Sequence, residues 1–343
     1  MRDRSVRGGE TEQRRNRANA ERSGGKQSKH ERAAEPIRFT TAAGESERMS
    51  DTFDRLGYGT YQLEAGEECA GGVAHAIETG YRHVDTAQGY DNEASVATGI
   101  DRTDVDREDC FVATKLSTDN LSYDDAVATA EESRERLGVD SIDLLYVHWP
   151  INSYDPEETL PALDDLVDDG VIDRIGLSNF EPDQLTEAVD RLDHDVFAHQ
   201  VECHPLLQQD ELREHAVADD HWLVAYSPIA RNRVADVDTL REIAAKHDAT
   251  PAQVSLAWLL SKDRVAPIPK AADFGHVEAN WAAREIDLTD DEIGRIDALD
   301  GGNRVVDFDE APWNRGVRAL TCGLEVSRPA DAADEPAQRG RRW

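Results

Sequence analysis

The sequence predicts an α/β fold, a single-domain (β/α)8 barrel, on three observations. Eight short apolar runs suited to strands alternate with segments whose apolar residues recur every three or four positions, as in helices. Polar residues at successive strand ends lie about one strand-helix repeat apart, 30 residues from Asp85 to Lys115, 33 to His148 and 30 to Ser178. A doubly wound sheet, the alternative, should carry a Gly-x-Gly-x-x-Gly run after its first strand, and none occurs.

The predicted elements follow one another from residue 56 to residue 299. The predicted strands span residues 56–60, 83–85, 111–116, 144–148, 174–178, 198–202, 222–226 and 266–269. Helical periodicity between them is clearest over residues 123–137, 159–167 and 237–247. Another helix is predicted to start near Asn92, an acceptable N-cap residue. The last helix, residues 289–299, begins with Thr289 as cap and Glu292 completing a capping box.

Composition divides the chain into three parts. Residues 1–48 hold 12 Lys/Arg against 8 Asp/Glu and almost no large apolar residues, which predicts a disordered basic extension. Met49, the only methionine besides Met1, falls where the composition changes. One hypothesis is that the native protein starts at Met49, and the alternative is a real basic tail. Residues 49–314 are predicted to form the barrel, and residues 315–343 a disordered C-terminal tail.

The barrel region is strongly acidic, with 20 Lys/Arg against 59 Asp/Glu in residues 49–314. Such a surface repels nucleic acid and anionic lipid, so neither is expected as a partner. It favours a halophilic protein from a high-salt cytoplasm, where screening removes the self-repulsion. An ordinary solvated acidic surface and a basic partner are the alternatives. The four cysteines form no Cys-x-x-Cys pair and no window of ~18 apolar residues exists, which indicates a cytoplasmic protein without a membrane span.

A proton-donating unit is predicted around the strand at residues 83–85. That strand ends on Asp85, and Tyr90 follows a glycine turn. Lys115 ends the next strand, so the repeat spacing makes Asp85 its counter-ion and keeps the lysine charged. We expect this cation to lower the pKa of Tyr90 from its free value of ~10 toward working pH, where a general acid is most effective.

His148 ends the strand after that. A neutral imidazole there can hydrogen-bond a substrate oxygen and orient it, and a satisfied core histidine is the alternative. No Gly-x-Ser-x-Gly of a serine hydrolase occurs. No metal is expected, because none of the candidate ligands forms a His-x-x-x-His pair. Those candidates are His83, His148, His199 and His204.

With these residues in place, the chain resembles the aldo-keto reductases, NAD(P)H-dependent (β/α)8 barrel enzymes. The resemblance covers residues 51–314 and is nearest to bacterial and archaeal members that act on aldehydes, keto-esters and diketo sugar acids. The motifs that carry it, in order, are Gly59-Thr60-Tyr61, Asp85-Thr86-Ala87-x-x-Tyr90-x-Asn92-Glu93, Thr114-Lys115, His148-Trp149-Pro150, Gly176-Leu177-Ser178-Asn179-Phe180, Gln200-Val201-Glu202-Cys203-His204-Pro205, Ala225-Tyr226-Ser227-Pro228 and Ile268-Pro269-Lys270.

The resemblance implies a catalytic tetrad of Asp85, Tyr90, Lys115 and His148, with Tyr90 protonating a carbonyl oxygen while hydride arrives from NADPH or NADH. It also implies that the nicotinamide stacks on Tyr226, that Ser178, Asn179 and Gln200 hold its amide, and that the pyrophosphate lies against residues 227–229. The full set of implied cofactor residues is Gly59, Thr60, Tyr61, Asp85, Ser178, Asn179, Gln200, Tyr226, Ser227, Ile229, Lys270, His276 and Asn280. The implied substrate pocket consists of Tyr61, Tyr90, His148, Trp149 and Trp313.

The sequence departs from the family pattern at the adenosine end of the cofactor. There the family has Ile-Pro-Lys-Ser, an arginine five residues later and then Glu-Asn, whereas this chain has Ala271 for the serine and His276 for the arginine. Lys270 and Asn280 are retained. Because arginine binds phosphate with two parallel bonds and histidine does not, we expect weak discrimination between NADPH and NADH, or a preference for NADH. The alternative is that Lys270 suffices.

The predicted function is therefore reduction of an aldehyde or ketone to an alcohol by a monomeric NAD(P)H-dependent enzyme with a small-molecule carbonyl substrate. Two alternatives stay open. One is a non-catalytic nucleotide-binding subunit of the same fold that regulates a partner. The other is a different barrel enzyme, such as a metal-dependent hydrolase or an isomerase.

Overall fold

The computed structural model describes residues 53–314, and these form the predicted (β/α)8 barrel. Eight parallel strands pair in chain order. Backbone bonds from Gly57 N to Pro267 O (3.0 Å) and from Gly59 N to Pro269 O (3.1 Å) join the last strand to the first. The strands are β1 (Tyr58–Gly59), β2 (His83–Asp85), β3 (Phe111–Leu116), β4 (Leu144–Val147), β5 (Ile175–Ser178), β6 (Val196–Glu202), β7 (Trp222–Tyr226) and β8 (Val265–Pro267).

Ten α-helices surround the strands in the described part of the chain. They are α1 (Glu67–Thr79), α2 (Glu93–Asp101), α3 (Tyr123–Leu137), α4 (Pro156–Asp168), α5 (Pro182–Arg191), α6 (Asp210–Ala218), α7 (Asp238–Lys246), α8 (Pro251–Ser261), α9 (Phe274–Ala282) and α10 (Asp290–Asp297). None of these helices is long and apolar enough to cross a membrane.

Two helix starts show how local chemistry and long-range contacts compete. The predicted capping box forms at α10, where Thr289 and Glu292 bond each other's backbone N–H groups. Asn92 precedes α2 as predicted, but its side chain does not cap the helix. Its amide instead accepts from Thr86 Oγ1 (2.7 Å) and donates to the carbonyl of Thr60 (3.1 Å). Asn92 thereby ties the loop after β1 to the loop after β2.

The barrel interior is closed at the amino-terminal ends of the strands. The ring of Phe53 lies 5.0 to 5.2 Å from the rings of His83, Phe111, Phe197 and Trp222. Such a cluster of aromatic rings excludes water from that end. The opposite end, where the strands finish, is therefore the open face.

The predicted termini lie outside the described residues, so the predictions for residues 1–48 and 315–343 stay predictions. Within residues 53–314 the three cysteines, Cys69, Cys110 and Cys203, are buried free thiols. No group of His, Cys, Asp or Glu in that range is arranged to hold a metal ion.

Candidate active site

A cleft of about 370 Å³ opens at the carboxyl ends of the strands. This is the face on which (β/α)8 barrels carry their sites. The strand-end spacing therefore brings residues from distant parts of the chain together, as the sequence predicts. The predicted site residues that line the cleft are Gly59, Tyr61, Asp85, Tyr90, His148, Trp149, Ser178, Asn179, Gln200, Tyr226, Ser227, Ile229 and Lys270.

A buried ion pair lies at the base of the cleft. The Lys115 ammonium donates to Asp85 Oδ1 (2.5 Å) and to the carbonyl of Thr86 (2.7 Å), and the lysine side chain is fully buried. Gln200 Nε2 donates to the other carboxylate oxygen of Asp85 (2.7 Å). The expectation that Asp85 is the counter-ion of Lys115 is thus met by the geometry. Both charges are compensated, which is the condition for burying them.

Lys115 also lies between two aromatic rings. Its ammonium is 5.2 Å from the centroid of Tyr90 and 5.9 Å from that of Tyr146. Cation–π attraction favours the charged form of the lysine. Burial acts in the opposite direction and lowers the pKa of Lys115, while Asp85 raises it.

The expected lowering of the Tyr90 pKa is wrong. Burial raises the pKa of Tyr90 well above its ordinary value, and the Asp85 carboxylate adds to the increase. The physical reason is that Asp85 neutralises Lys115, so the phenol meets a compensated ion pair rather than a free cation. Tyr90 consequently keeps its proton at neutral pH.

His148 is a neutral imidazole beside this tyrosine. The two ring centroids are 5.8 Å apart. Burial lowers the pKa of His148 well below its ordinary value, and the nearby Lys115 charge lowers it further. Its Nδ1 has no hydrogen-bond partner among the described residues. His148 lines the cleft as an uncharged ring, so it can bond a ligand oxygen there without introducing a positive charge.

A polar network forms the next part of the cleft wall. Tyr226 Oη donates to Asn179 Oδ1 (2.8 Å), and Asn179 Nδ2 donates to the carbonyl of His148 (3.0 Å) and to Ser178 Oγ (2.9 Å). Ser178 Oγ in turn donates to the carbonyl of Gln200 (2.9 Å). The network fixes the amide and hydroxyl groups beside the Tyr226 ring.

Some predicted site residues do not line the cleft. Thr60 is buried, and its Oγ1 donates to the carbonyl of Asp85 (3.0 Å), so it positions the backbone of that residue. Trp313 lies behind Trp149, 5.7 Å between ring centroids, and its Nε1 donates to Asp307 (2.9 Å). Lys115 lies beneath the cleft floor, as described above.

At the predicted adenosine end, His276 and Asn280 also lie off the cleft. Both are on α9, where the His276 side chain is 79% exposed and Asn280 is buried. Their predicted contacts with a cofactor stay predictions.

Sequence reasoning missed several residues of the cleft wall. They are Gln62, Arg231, Ile268 and Val306, whereas Pro228, which also lines the cleft, falls within the predicted stretch 227–229. The signal for Arg231 was present, because it is a cation shortly after the strand end at Tyr226. Val306 reaches the wall from the C-terminal loop, and no local pattern predicts that contact.

Comparison with known proteins agrees with this geometry. Residues 55–301 match the model of the Aldo/keto reductase family. A 9,11-endoperoxide prostaglandin H2 reductase of Trypanosoma cruzi is 37% identical over 254 residues, 73% of this chain and 89% of that protein. The glyoxal reductase of Bacillus subtilis is 36% identical over 251 residues, 73% of this chain and 90% of that protein. The crystal structure of an aldo-keto reductase of Bombyx mori in complex with NADP has a TM-score of 0.70 at 30% identity, covering 75% of this chain and 92% of that chain.

Proposed function

The chain belongs to the aldo/keto reductase family, whose members are NAD(P)H-dependent oxidoreductases that reduce carbonyls, and we propose that it reduces an aldehyde or ketone to an alcohol with Tyr90 as the general acid. The observation that carries the proposal is the buried Lys115–Asp85 pair beneath Tyr90 at the cleft floor. It gives the phenol a polar support that a packing tyrosine does not need.

The raised pKa of Tyr90 supports its role as the proton donor. A phenol that holds its proton at neutral pH can donate it to a carbonyl oxygen as negative charge develops there. His148, a neutral ring on the cleft wall, orients that oxygen. Asp85 and Lys115 act as positioning residues, because their ion pair fixes the environment of the phenol.

The cleft also fits a nicotinamide dinucleotide. Ser178, Asn179 and Gln200 offer the donors and acceptors that an amide requires, and the Tyr226 ring lies beside them. Lys270 lines the same cleft and carries a charge suited to a phosphate. When bound, the reduced nicotinamide supplies the hydride, and the residues of this chain supply the proton and hold the carbonyl.

Replacing Tyr90 tests the proposal. Tyr90→Phe removes the proton and keeps the ring, so we expect kcat for reduction of glyoxal and of 4-nitrobenzaldehyde to fall by roughly 10²- to 10⁴-fold. The dissociation constant of NADPH, followed by quenching of protein fluorescence, should change little. Tyr123→Phe is the matched control, since the Tyr123 hydroxyl bonds Asp165 on the helical layer. Retention of full activity in Tyr90→Phe would contradict the proposal.

The same variant discriminates the non-catalytic alternative. A regulatory subunit would bind nucleotide without oxidising it, and Tyr90→Phe would then retain the full biological effect. Measurable NADPH or NADH oxidation that depends on both an aldehyde and Tyr90 excludes that alternative. Activity that a chelator abolishes and that needs no nicotinamide would instead favour a metal-dependent barrel enzyme.

We also propose that the enzyme discriminates weakly between the two cofactors or favours NADH. The side chain at position 276 is a solvent-exposed histidine, and alanine occupies position 271. Arg binds a 2′-phosphate with two charged bonds, so Ala271→Ser combined with His276→Arg should raise the NADPH-to-NADH ratio of kcat/KM about tenfold or more. A hundredfold NADPH preference in the unmodified enzyme would contradict the proposal.

A further inference from the structure

A second tyrosine lies inside the barrel beneath the cleft. Tyr146 is on β4, is fully buried and packs in the apolar interior of the barrel, without lining the cleft itself. Burial and the Asp85 carboxylate raise the pKa of Tyr146 well above its ordinary value, while the Gln200 side chain acts in the opposite direction. Tyr146 is therefore an uncharged aromatic residue at neutral pH.

The strand register brings the Tyr146 ring to the level of Lys115. The two residues are paired across β3 and β4, and Tyr146 is paired in turn with Gly176 on β5. Paired residues on neighbouring strands point to the same face of a sheet, here the barrel interior. The Lys115 ammonium is 5.9 Å from the Tyr146 ring centroid and 5.2 Å from that of Tyr90. Both distances are within the range of cation–π attraction, about 6 Å.

Gly176 leaves the space in which the Tyr146 ring lies. A β carbon at position 176 would be 2.3 Å from Cδ1 and 2.5 Å from Cε1 of that ring. Carbon atoms in favourable contact are about 3.5–4.0 Å apart, so any larger residue would displace the ring. Glycine inside a strand weakens the strand and often marks a close approach of this kind. A strand-weakening residue in β5 thus makes room for an aromatic ring beside Lys115.

We propose that Tyr146 is a positioning residue of the site, whose ring keeps the Lys115 ammonium charged and in place beneath Tyr90. The inference rests on the proposed function and goes beyond it, because it assigns a role to a residue outside the cleft wall. Burial disfavours the ammonium and Asp85 favours it. A second carboxylate would also favour it, but would raise the pKa of Tyr90 further, as Asp85 does. A ring without net charge holds the cation and avoids that effect.

The charge on Lys115 matters when Tyr90 gives up its proton. Negative charge then develops on the phenol oxygen, and a nearby ammonium stabilises it more than a neutral amine does. Without the Tyr146 ring, Lys115 loses its proton at a lower pH and is held less firmly, so proton donation slows. Loss of a buried cation–π contact corresponds to a fall in rate of about three- to thirtyfold.

Two substitutions separate the ring of Tyr146 from its size and its hydroxyl group. Tyr146→Phe keeps a ring and removes the hydroxyl, whereas Tyr146→Leu removes the ring. We expect the single-turnover rate with 4-nitrobenzaldehyde to fall about three- to thirtyfold in Tyr146→Leu and to change less than about twofold in Tyr146→Phe. Phe111→Leu is the matched control, since Phe111 is equally buried in the same interior cluster but its ring faces Arg174 (5.4 Å). If Tyr146→Leu does not fold, Tyr146→Met replaces it, because methionine fills irregular core gaps.

The pH dependence gives a readout that loss of stability alone would not move. The alkaline limb of the single-turnover pH profile should shift to lower pH in Tyr146→Leu, and should stay in place in Tyr146→Phe and Phe111→Leu. The other titratable groups that interact with the Lys115 ammonium are unchanged in all three variants. These groups are His83, Asp85, Tyr90, Glu93 and His148.

The charge on Lys115 can also be measured without any reaction. The chain has six lysines, so NMR of protein with 13C at lysine Cε gives few signals, and the Lys115 signal is the one lost in Lys115→Arg. We expect the pKa of Lys115 to be lower in Tyr146→Leu than in the unmodified protein, Tyr146→Phe and Phe111→Leu.

Failure of the proposed function would look different from failure of the inference. In the first case the unmodified protein reduces no aldehyde, and the NMR titration still tests the effect of the ring on Lys115. The inference is overturned if the pKa of Lys115 is the same in Tyr146→Leu as in the unmodified protein. It is also overturned if Tyr146→Leu keeps the rate and pH profile of an active enzyme, or if Tyr146→Phe loses as much as Tyr146→Leu.

Discussion

The carboxylate of Glu202 ties the C-terminal loop to the barrel, and Glu202→Gln should loosen that loop over the cleft. Glu202 ends β6 and its side chain is fully buried. Its Oε1 accepts from Val305 N (2.6 Å) and its Oε2 from Val306 N (2.9 Å). His204 Nδ1 accepts from Leu206 N (3.2 Å), so its Nε2 carries the proton and donates to Glu202 Oε1 (2.9 Å).

The free-energy cost of Glu202→Gln follows from these bonds. A glutamine keeps one accepting oxygen but turns an NH2 group toward a donor, so one charge-assisted bond is lost and one buried N–H is left unsatisfied. The combined cost is on the order of 2–4 kcal/mol. The loss of global stability is smaller than this cost, because the loop can detach from the barrel while the barrel stays folded. Val306 lines the cleft, so detachment of the loop removes part of the substrate wall.

Two assays on Glu202→Gln separate loop positioning from general stability. We expect kcat/KM for 4-nitrobenzaldehyde to fall about tenfold relative to that for glyoxal, because the larger substrate uses more of the wall. The cofactor dissociation constants should not change. Glu292→Gln is the matched control, since Glu292 is equally buried but bonds Lys246 and His247 away from the cleft.

The control decides between the outcomes. If Glu202→Gln lowers Tm as Glu292→Gln does and leaves the substrate ratio unchanged, Glu202 has a structural role only. If neither Tm nor the ratio changes, the reasoning about the buried bonds is refuted.

Two further predictions concern stability. Asp85→Asn leaves the buried Lys115 ammonium without its counter-ion and should cost ~3–5 kcal/mol, a fall in Tm of at least about 6 °C in thermal unfolding. Asp91→Asn, on the exposed part of the same loop, should leave Tm unchanged, and an unchanged Tm in both variants would contradict the argument. Burial lowers the pKa of His199 to about 3. Below pH ~6.5 this histidine therefore binds a proton in the unfolded chain but not in the folded protein. The free energy of unfolding should therefore fall between pH 6.5 and pH 5 by about 1–2 kcal/mol more in the unmodified protein than in His199→Gln, as measured by urea denaturation. Equal slopes in the two proteins would exclude His199 as the cause.

The strands and the catalytic residues were predictable because each depends on a short stretch of sequence. Buried parallel strands are apolar runs, and a polar residue ends β2, stands last but one in β3 and follows β4 directly. The observed bounds of β2, β3, β7 and α3 match the predicted ones. The first strand is shorter than predicted, because only Tyr58 and Gly59 pair with β2. The 30-residue spacing of the two strand ends was then enough to predict that Asp85 and Lys115 lie close together.

Other parts of the site depend on contacts between distant residues, and no local pattern records them. Glu202 bonds a residue 103 positions away, so its role as the anchor of the loop appears only in the fold. Val306 reaches the cleft wall from the C-terminal loop, and that contact likewise appears only in the fold.

The Tyr90 pKa shows why identifying a residue's neighbours does not give their electrostatic effect. The sequence correctly indicates that Lys115 lies near Tyr90, and from that alone the pKa should fall. The structure adds that Asp85 already bonds the lysine at 2.5 Å, so the pair presents little net charge to the phenol. Desolvation of the phenolate then decides the sign, and the pKa rises. A phenol that keeps its proton can donate it to a carbonyl oxygen, so the raised pKa agrees with the proposed role of Tyr90 as general acid.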